Sequence, residues 1–156
     1  MMWPMDKSIV YNIASNALSR ARDLQSQISQ IELDIKYCQL NNQSSFGKMN
    51  DMGSIGYLQG LKANRIQERD SHLSEAISYA VEIMIDDIMR HVSGYLSLGA
   101  MMIANIQSFL SIYDVKVHVS AVTRYKLAEL SYKLALPSFS YLEVATKVEN
   151  LKSHIY

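Results

Sequence analysis

Residues 7–41 read KSIVYNIASNALSRARDLQSQISQIELDIKYCQLN. Within them Val10, Ala14, Ala17, Ala21, Leu24, Ile28, Ile31, Ile35 and Cys38 recur at alternating spacings of four and three. An alternation sustained over about four heptads places all of these residues on one narrow seam of one helix, the pattern of a helix that lies along another helix. The first half of the seam is small (Ala14, Ala17, Ala21) and the second half is bulky (Leu24, Ile28, Ile31, Ile35). The two halves therefore face different surroundings. Asp6 or Ser8 caps the helix start, and Ser15, Arg22, Gln25, Ser29, Glu32 and Lys36 form the polar face opposite the seam.

Downstream, residues 41–56 are rich in turn formers and have no period, which predicts a long flexible loop. Phe46, Met49 and Met52 in that loop either form a docking hook or tuck back onto the helices. A second long helix is expected from about 57 to about 91, with Ile66, Leu73, Ile77, Ala80 and Met84 on its seam and Asp70 interrupting it. Two long helices joined by one loop predict an antiparallel hairpin over about 7–91. In that hairpin the alanine end of the first helix meets residues 76–84 of the second. The same seam is also the pattern of pairing between copies of the chain.

Residues 92–113 carry no charge. The stretch is long enough to span a bilayer, but Ser93, Ser97, Asn105, Gln107, Ser108 and Ser111 make it polar for spontaneous insertion. It reads as a buried central helix. Val115, Val117 and Val119 alternate with polar residues at period two, while Ile112, Val115, Val119 and Val122 fit a helical stripe. A helix or a short extended connector is expected there. A helix over about 120–136 follows, with Leu127, Leu130 and Leu134 on one face and Pro137 at its end. Ser140 and Glu143 have capping-box spacing and open a last helix with Val144, Val148, Leu151 and Ile155 as its stripe.

With 156 residues, the chain is expected to form one helical domain over 1–156, its C-terminal helices occupying about 92–156. Two prolines and six glycines, four of these between 47 and 60, are too few to turn a sandwich or barrel, so the fold class is all-α. Fifteen basic residues balance fifteen acidic ones, which disfavours nucleic-acid binding through a basic face. Cys38 is the single cysteine, so no intramolecular disulfide forms, and a small buried hydrophobe is its expected role. Residues 1–7 show no basic region followed by an apolar core, so a cytoplasmic location is the default; signal-less export leaves no sequence mark.

Few residues suggest chemistry. Glu68 and His72, Glu82 and Asp86, and Asp87 and His91 each lie one turn apart on the second helix, a spacing compatible with metal ligation. A di-iron bundle requires two Glu-x-x-His spacings, and the chain has none, so solvated ion pairs are the expected role and no metal or cofactor is expected. Arg65 and His72, with six residues between them, resemble the arginine–histidine motif of the HEPN family of all-helical ribonucleases. That resemblance implies metal-independent RNA cleavage by a dimer, with Arg65 and His72 paired across its interface. Ile66 stands where the family carries a polar residue after the arginine. There is no phosphate-binding glycine loop or nucleophile elbow. Ten tyrosines and nine methionines favour an adaptable, contact-making surface.

The expected function is therefore a non-enzymatic helical assembly or interaction protein, such as a structural subunit, an adaptor or a secretion-type chaperone. Its partner would be a protein or further copies of itself, through Leu24, Ile28, Ile31 and Ile35. The alternatives are a membrane-active helical protein using residues 92–113 and the HEPN-like ribonuclease.

Overall fold

The computed structural model describes residues 6–41, 48–90, 97–135 and 141–156. These form five helices and no strand: α1 (Lys7–Asn41), α2 (Lys48–Met89), α3 (Leu98–Tyr113), α4 (Ala121–Leu134) and α5 (Leu142–Lys152). The fold is all-α, and α1 and α2 pack against each other as the hairpin that the seam predicts. The chain resolves into two compact units, Met1–Leu18 with His72–Tyr156 (unit 1) and Ser19–Ser71 (unit 2).

In unit 1, α1 opens on Asp6, whose carboxylate accepts from the Ser8 N–H at 3.0 Å. Lys7 pairs with Asp87, and two helical turns further along an antiparallel pair this register brings Ala14 level with Ala80. Ala14, Ala17, Ala76, Ile77, Ala80, Val81 and Ile83 are all fully buried, so the alanine end of α1 lies against residues 76–84 of α2 as the spacing predicts, with alanine level with alanine at 14 and 80 and the larger Ile77, Val81 and Ile83 beside them. Gly99 marks a close crossing of α3 over α2. A Cβ added there would lie 2.6 Å from the Met84 nitrogen and 2.8 Å from the Ala80 oxygen. Met102, Ile103, Ile106 and Leu110 line the buried face of α3.

Residues 115–119 form the extended alternative of the sequence reading. Val115, Val117 and Val119 are buried, and Val117 forms a parallel bridge with Ile155. The Val117 N–H donates to the His154 carbonyl at 2.8 Å, and the Tyr156 N–H donates to the Val117 carbonyl at 3.2 Å. Asp114, at φ 49°, ends α3 in the left-handed conformation and turns the chain into this connector. Ser120 caps α4 by accepting from the Thr123 N–H, and the Thr123 hydroxyl lies 2.9 Å from that of Ser78 on α2. Ser74 donates to the His118 carbonyl at 2.8 Å, which ties α2 to the connector.

Unit 2 is the remainder of the hairpin. Its antiparallel register is fixed by pairs that step down α2 as they step up α1. Arg69 meets Gln25, Arg65 meets Gln27 and Lys62 meets Glu32. Ala21, Leu24, Ile28, Ile31 and Ile35 are buried on α1.

Two expectations are corrected. The loop predicted over 41–56 is shorter, because α2 begins at Lys48 rather than near 57. Gly56 and Gly60 stand on the open side of that helix with nothing within 4 Å of an added Cβ, where helical glycine costs about 1 kcal/mol and is tolerated. Gln25, expected on the polar outer face, is 8% exposed because it turns inward to accept from Arg69. The capping role assigned to Ser140 lies outside the described residues, as does Pro137; Tyr141 is the N-cap of α5 and makes no side-chain capping bond.

Candidate functional site

The residues singled out from sequence divide by where the fold puts them. Leu24, Ile28, Ile31 and Ile35 are between 1% and 8% exposed, so the seam closes within one chain and the outward surface of unit 2 is carried by other residues. Phe46 lies outside the described residues. Met49 and Met52 stand on the backbone of α2, their side chains outside the described set. Cys38 is a free thiol of intermediate exposure at the end of the seam.

The acidic and histidine pairs of α2 are engaged separately. In unit 1, Asp86 and Asp87 both face Lys7, and Arg90 reaches Asp86 at 3.3 Å. Glu82 takes Lys126 of α4 at 2.6 Å. His72 lies 3.9 Å from Glu75, and its Nδ1 is buried without a hydrogen bond. His91 lies outside the described residues. In unit 2, Glu68 pairs with Arg65 at 3.1 Å, and Arg65 Nε donates to Gln27 at 3.0 Å. Each carboxylate of these pairs thus has its own cation, and among the described residues no group of three potential ligands gathers. The two HEPN-like residues belong to different units, and each has local partners of its own.

The most developed polar arrangement is the layer inside unit 2. Arg69, 8% exposed, donates through Nη1 to the Gln25 carbonyl oxygen at 2.7 Å and through Nε to Asp70 Oδ1 at 2.9 Å, with Nη2 in ion-pair contact with that oxygen at 2.9 Å. Burial pushes the Asp70 carboxyl up from its ordinary 3.8, against the pull of the adjacent Arg69 guanidinium. A buried polar pair inside an apolar helix seam is penalised whenever the helices slip, because each group then loses its partner. The layer therefore fixes register.

Two stripes that include large apolar side chains stand at the surface. On α1 within unit 2, Leu33, Tyr37 and Leu40 are 59%, 67% and 65% exposed at spacings of four and three. On α4 within unit 1, Ala121, Tyr125, Ala128 and Tyr132, with Ala135 at the helix C-cap, are all exposed and repeat at four, three, four and three. Val122 stands beside them. The buried leucines Leu127, Leu130 and Leu134 occupy the other side of α4 as predicted. The leucine stripe is the only face of this helix that its hydropathy pattern reveals. The spacing of Ala121, Tyr125, Ala128, Tyr132 and Ala135 was the signal that would have located the second face.

No described helix is long and apolar enough to cross a membrane, and residues 92–96 of the charge-free stretch lie outside the described set. No protein-family model, curated protein or solved structure matches the chain.

Proposed function

We propose that this chain is a non-enzymatic helical assembly protein that works by docking outward faces of its helices on other polypeptide. The observation that carries this reading is the exposed alanine–tyrosine repeat of α4. A 4-3 repeat is the signature of helix-to-helix packing, and here it points away from a core that α4 already fills with Leu127, Leu130 and Leu134. Tyrosine suits such a face because its ring supplies apolar area while its hydroxyl tolerates a wet rim. The carboxylates that first suggest metal ligation, Glu68, Glu82, Asp86 and Asp87, are each engaged in an ion pair, which supports a role in construction over one in turnover.

The test is the native mass of the protein in extracts of cells that make it, by size exclusion with immunodetection. The expected result is elution well above the 17.7 kDa of one chain, shifted toward the monomer by Tyr125→Glu with Tyr132→Glu. Elution as a monomer before and after substitution overturns the reading.

A further inference from the structure

The geometry points to a second copy of this chain as the occupant of the α4 face, bound antiparallel about a two-fold axis between residues 126 and 127. This inference rests on the assembly reading and names its partner.

The face specifies its own complement. In an antiparallel helix pair, residues at one seam position pack against the other seam position of the partner helix. With the axis between 126 and 127, Tyr125 of each copy faces Ala128 of the other, and Tyr132 faces Ala121. Both rings meet a small residue, and Ala121 and Ala128 each meet a ring, so the helices approach closely with no ring-on-ring clash; Ala135 lies beyond the paired span. A parallel pair would instead stack tyrosine on tyrosine and alanine on alanine, leaving gaps at the alanine layers. Because the alternation reads the same in both directions, the contact closes on itself as an isologous dimer.

The flanks agree with this pairing. Val122 of one copy lies beside Glu129 of the other, and Arg124 lies beside Ser131. No like charges stand opposite each other. Among the described residues, Arg124 makes no side-chain hydrogen bond or ion pair within its own chain, so nothing has to be broken to bring the second copy in. Next to Ala128, a groove of about 220 Å³ runs between α4 and residues 152–156, lined by Arg124, Leu127, Ala128, Lys152, Ile155 and Tyr156. It widens the landing area.

The area is sufficient. Tyr125, Tyr132 and Tyr156 are 70%, 72% and 64% exposed, and Val122 is 63% exposed. With about 200 Å² per tyrosine, Tyr125, Tyr132, Val122 and the two paired alanines offer roughly 500 Å² per copy, or about 1,000 Å² for the pair, at the ~1,000 Å² that a specific interface needs. An interface near that threshold is reversible, so the dimer forms in a concentration-dependent way.

The experiment uses the purified full chain with Cys38→Ser. Sedimentation equilibrium from low micromolar to several hundred micromolar concentration is expected to show a monomer–dimer equilibrium. Tyr125→Glu with Tyr132→Glu is expected to raise the dimer dissociation constant about 30-fold or more while leaving the helical circular dichroism unchanged. Ala128→Trp, which fills the hole rather than removing the knob, is expected to do the same. For orientation, single-cysteine Tyr125→Cys and Ala128→Cys chains are mixed under mild oxidation, and the mixed disulfide is expected to exceed either self-disulfide. A monomer at every concentration, or a dimer that the substitutions leave intact, overturns the inference. A dominant Tyr125→Cys self-disulfide overturns its antiparallel geometry. If the purified chain is monomeric while the large species persists in cell extracts, the second copy is excluded and the assembly reading stands with a different partner.

Discussion

In unit 1, Leu73, Ile77, Ile83, Ile103, Ile106, Leu110, Leu130 and Leu151 are completely buried. In unit 2, the only buried side chain among those described on α2 is Arg69, and it keeps 8% of its surface exposed. The same two helices run through both units, yet only in unit 1 do further helices cover them. A two-helix layer shields the narrow seam of α1, but it leaves Ile55, Leu58, Leu61 and Ile66 of α2 partly open. Burial at about 25 cal/mol per Å² depends on covering both faces of an element. Unit 1 is therefore held by close-packed volume, whereas unit 2 is held by one buried stripe and a polar layer that fixes its register.

The contrast is broken most directly by cavity formation. Ile103→Ala is expected to cost about 2–5 kcal/mol, near the upper end because its neighbours are packed on all sides. Ile31→Ala is expected to fall at the bottom of that range, since a two-helix seam relaxes into the space. Guanidinium unfolding of the two variants checks this, and equal losses would remove the distinction between the units. Gly99→Ala belongs with the large effects. Its Cβ would press on the backbone of Met84 and Ala80, and overpacking of this kind costs about 1–3 kcal/mol.

The polar layer gives the next effect. Arg69→Ala should destabilise the hairpin by about 1–3 kcal/mol because Gln25 and Asp70 lose their partner. Arg69→Met combined with Gln25→Leu should recover much of that loss. A double-mutant cycle read by urea unfolding separates the outcomes, and additive losses would show that the pair is not coupled.

A smaller, pH-dependent effect follows from Asp70. Its folded pKa is raised above 3.8, so the protonated form suits the folded state better. The stability this group contributes is present below 3.8 and is lost as pH rises through the folded value. Asp70→Asn should therefore gain on the wild type as pH increases from below 4 to neutrality, measured as the difference in denaturation midpoints. A difference that shrinks over that range would contradict the assignment. Smallest of all, Leu33→Gln or Tyr37→Gln on the outer stripe of α1 should change thermal stability by less than about 0.5 kcal/mol.

What the sequence made legible follows from periodicity. The seam from Val10 to Ile35 and the leucines of α4 are buried where their spacing puts them, since a helix face is a purely local property of the chain. The start of α2 is hidden because the turn formers of 41–56, Gly53 and Gly56 among them, read as a loop, although a helix accepts glycine wherever no side chain is needed. Gln25 was misplaced because its burial depends on Arg69, a residue 44 positions away, and no window on α1 reveals that partner. The exposed face of α4 was overlooked for a different reason. Alanine and tyrosine carry weak hydropathy signals, so a repeat built from them emerges only once Leu127, Leu130 and Leu134 are seen to fill the core side.

The bridge between Val117 and Ile155 has a consequence for the order of folding. A chain made from its N-terminus presents Val115, Val117 and Val119 before residues 154–156 exist. The Val117 N–H and carbonyl then have no backbone partner, and the valine row stays open to solvent and to other chains. Closure must wait for the segment that carries His154 and Tyr156, which makes this a non-local and late step. Substitutions in residues 154–156 should thus prolong the aggregation-prone interval during synthesis more than they lower the stability of the finished fold.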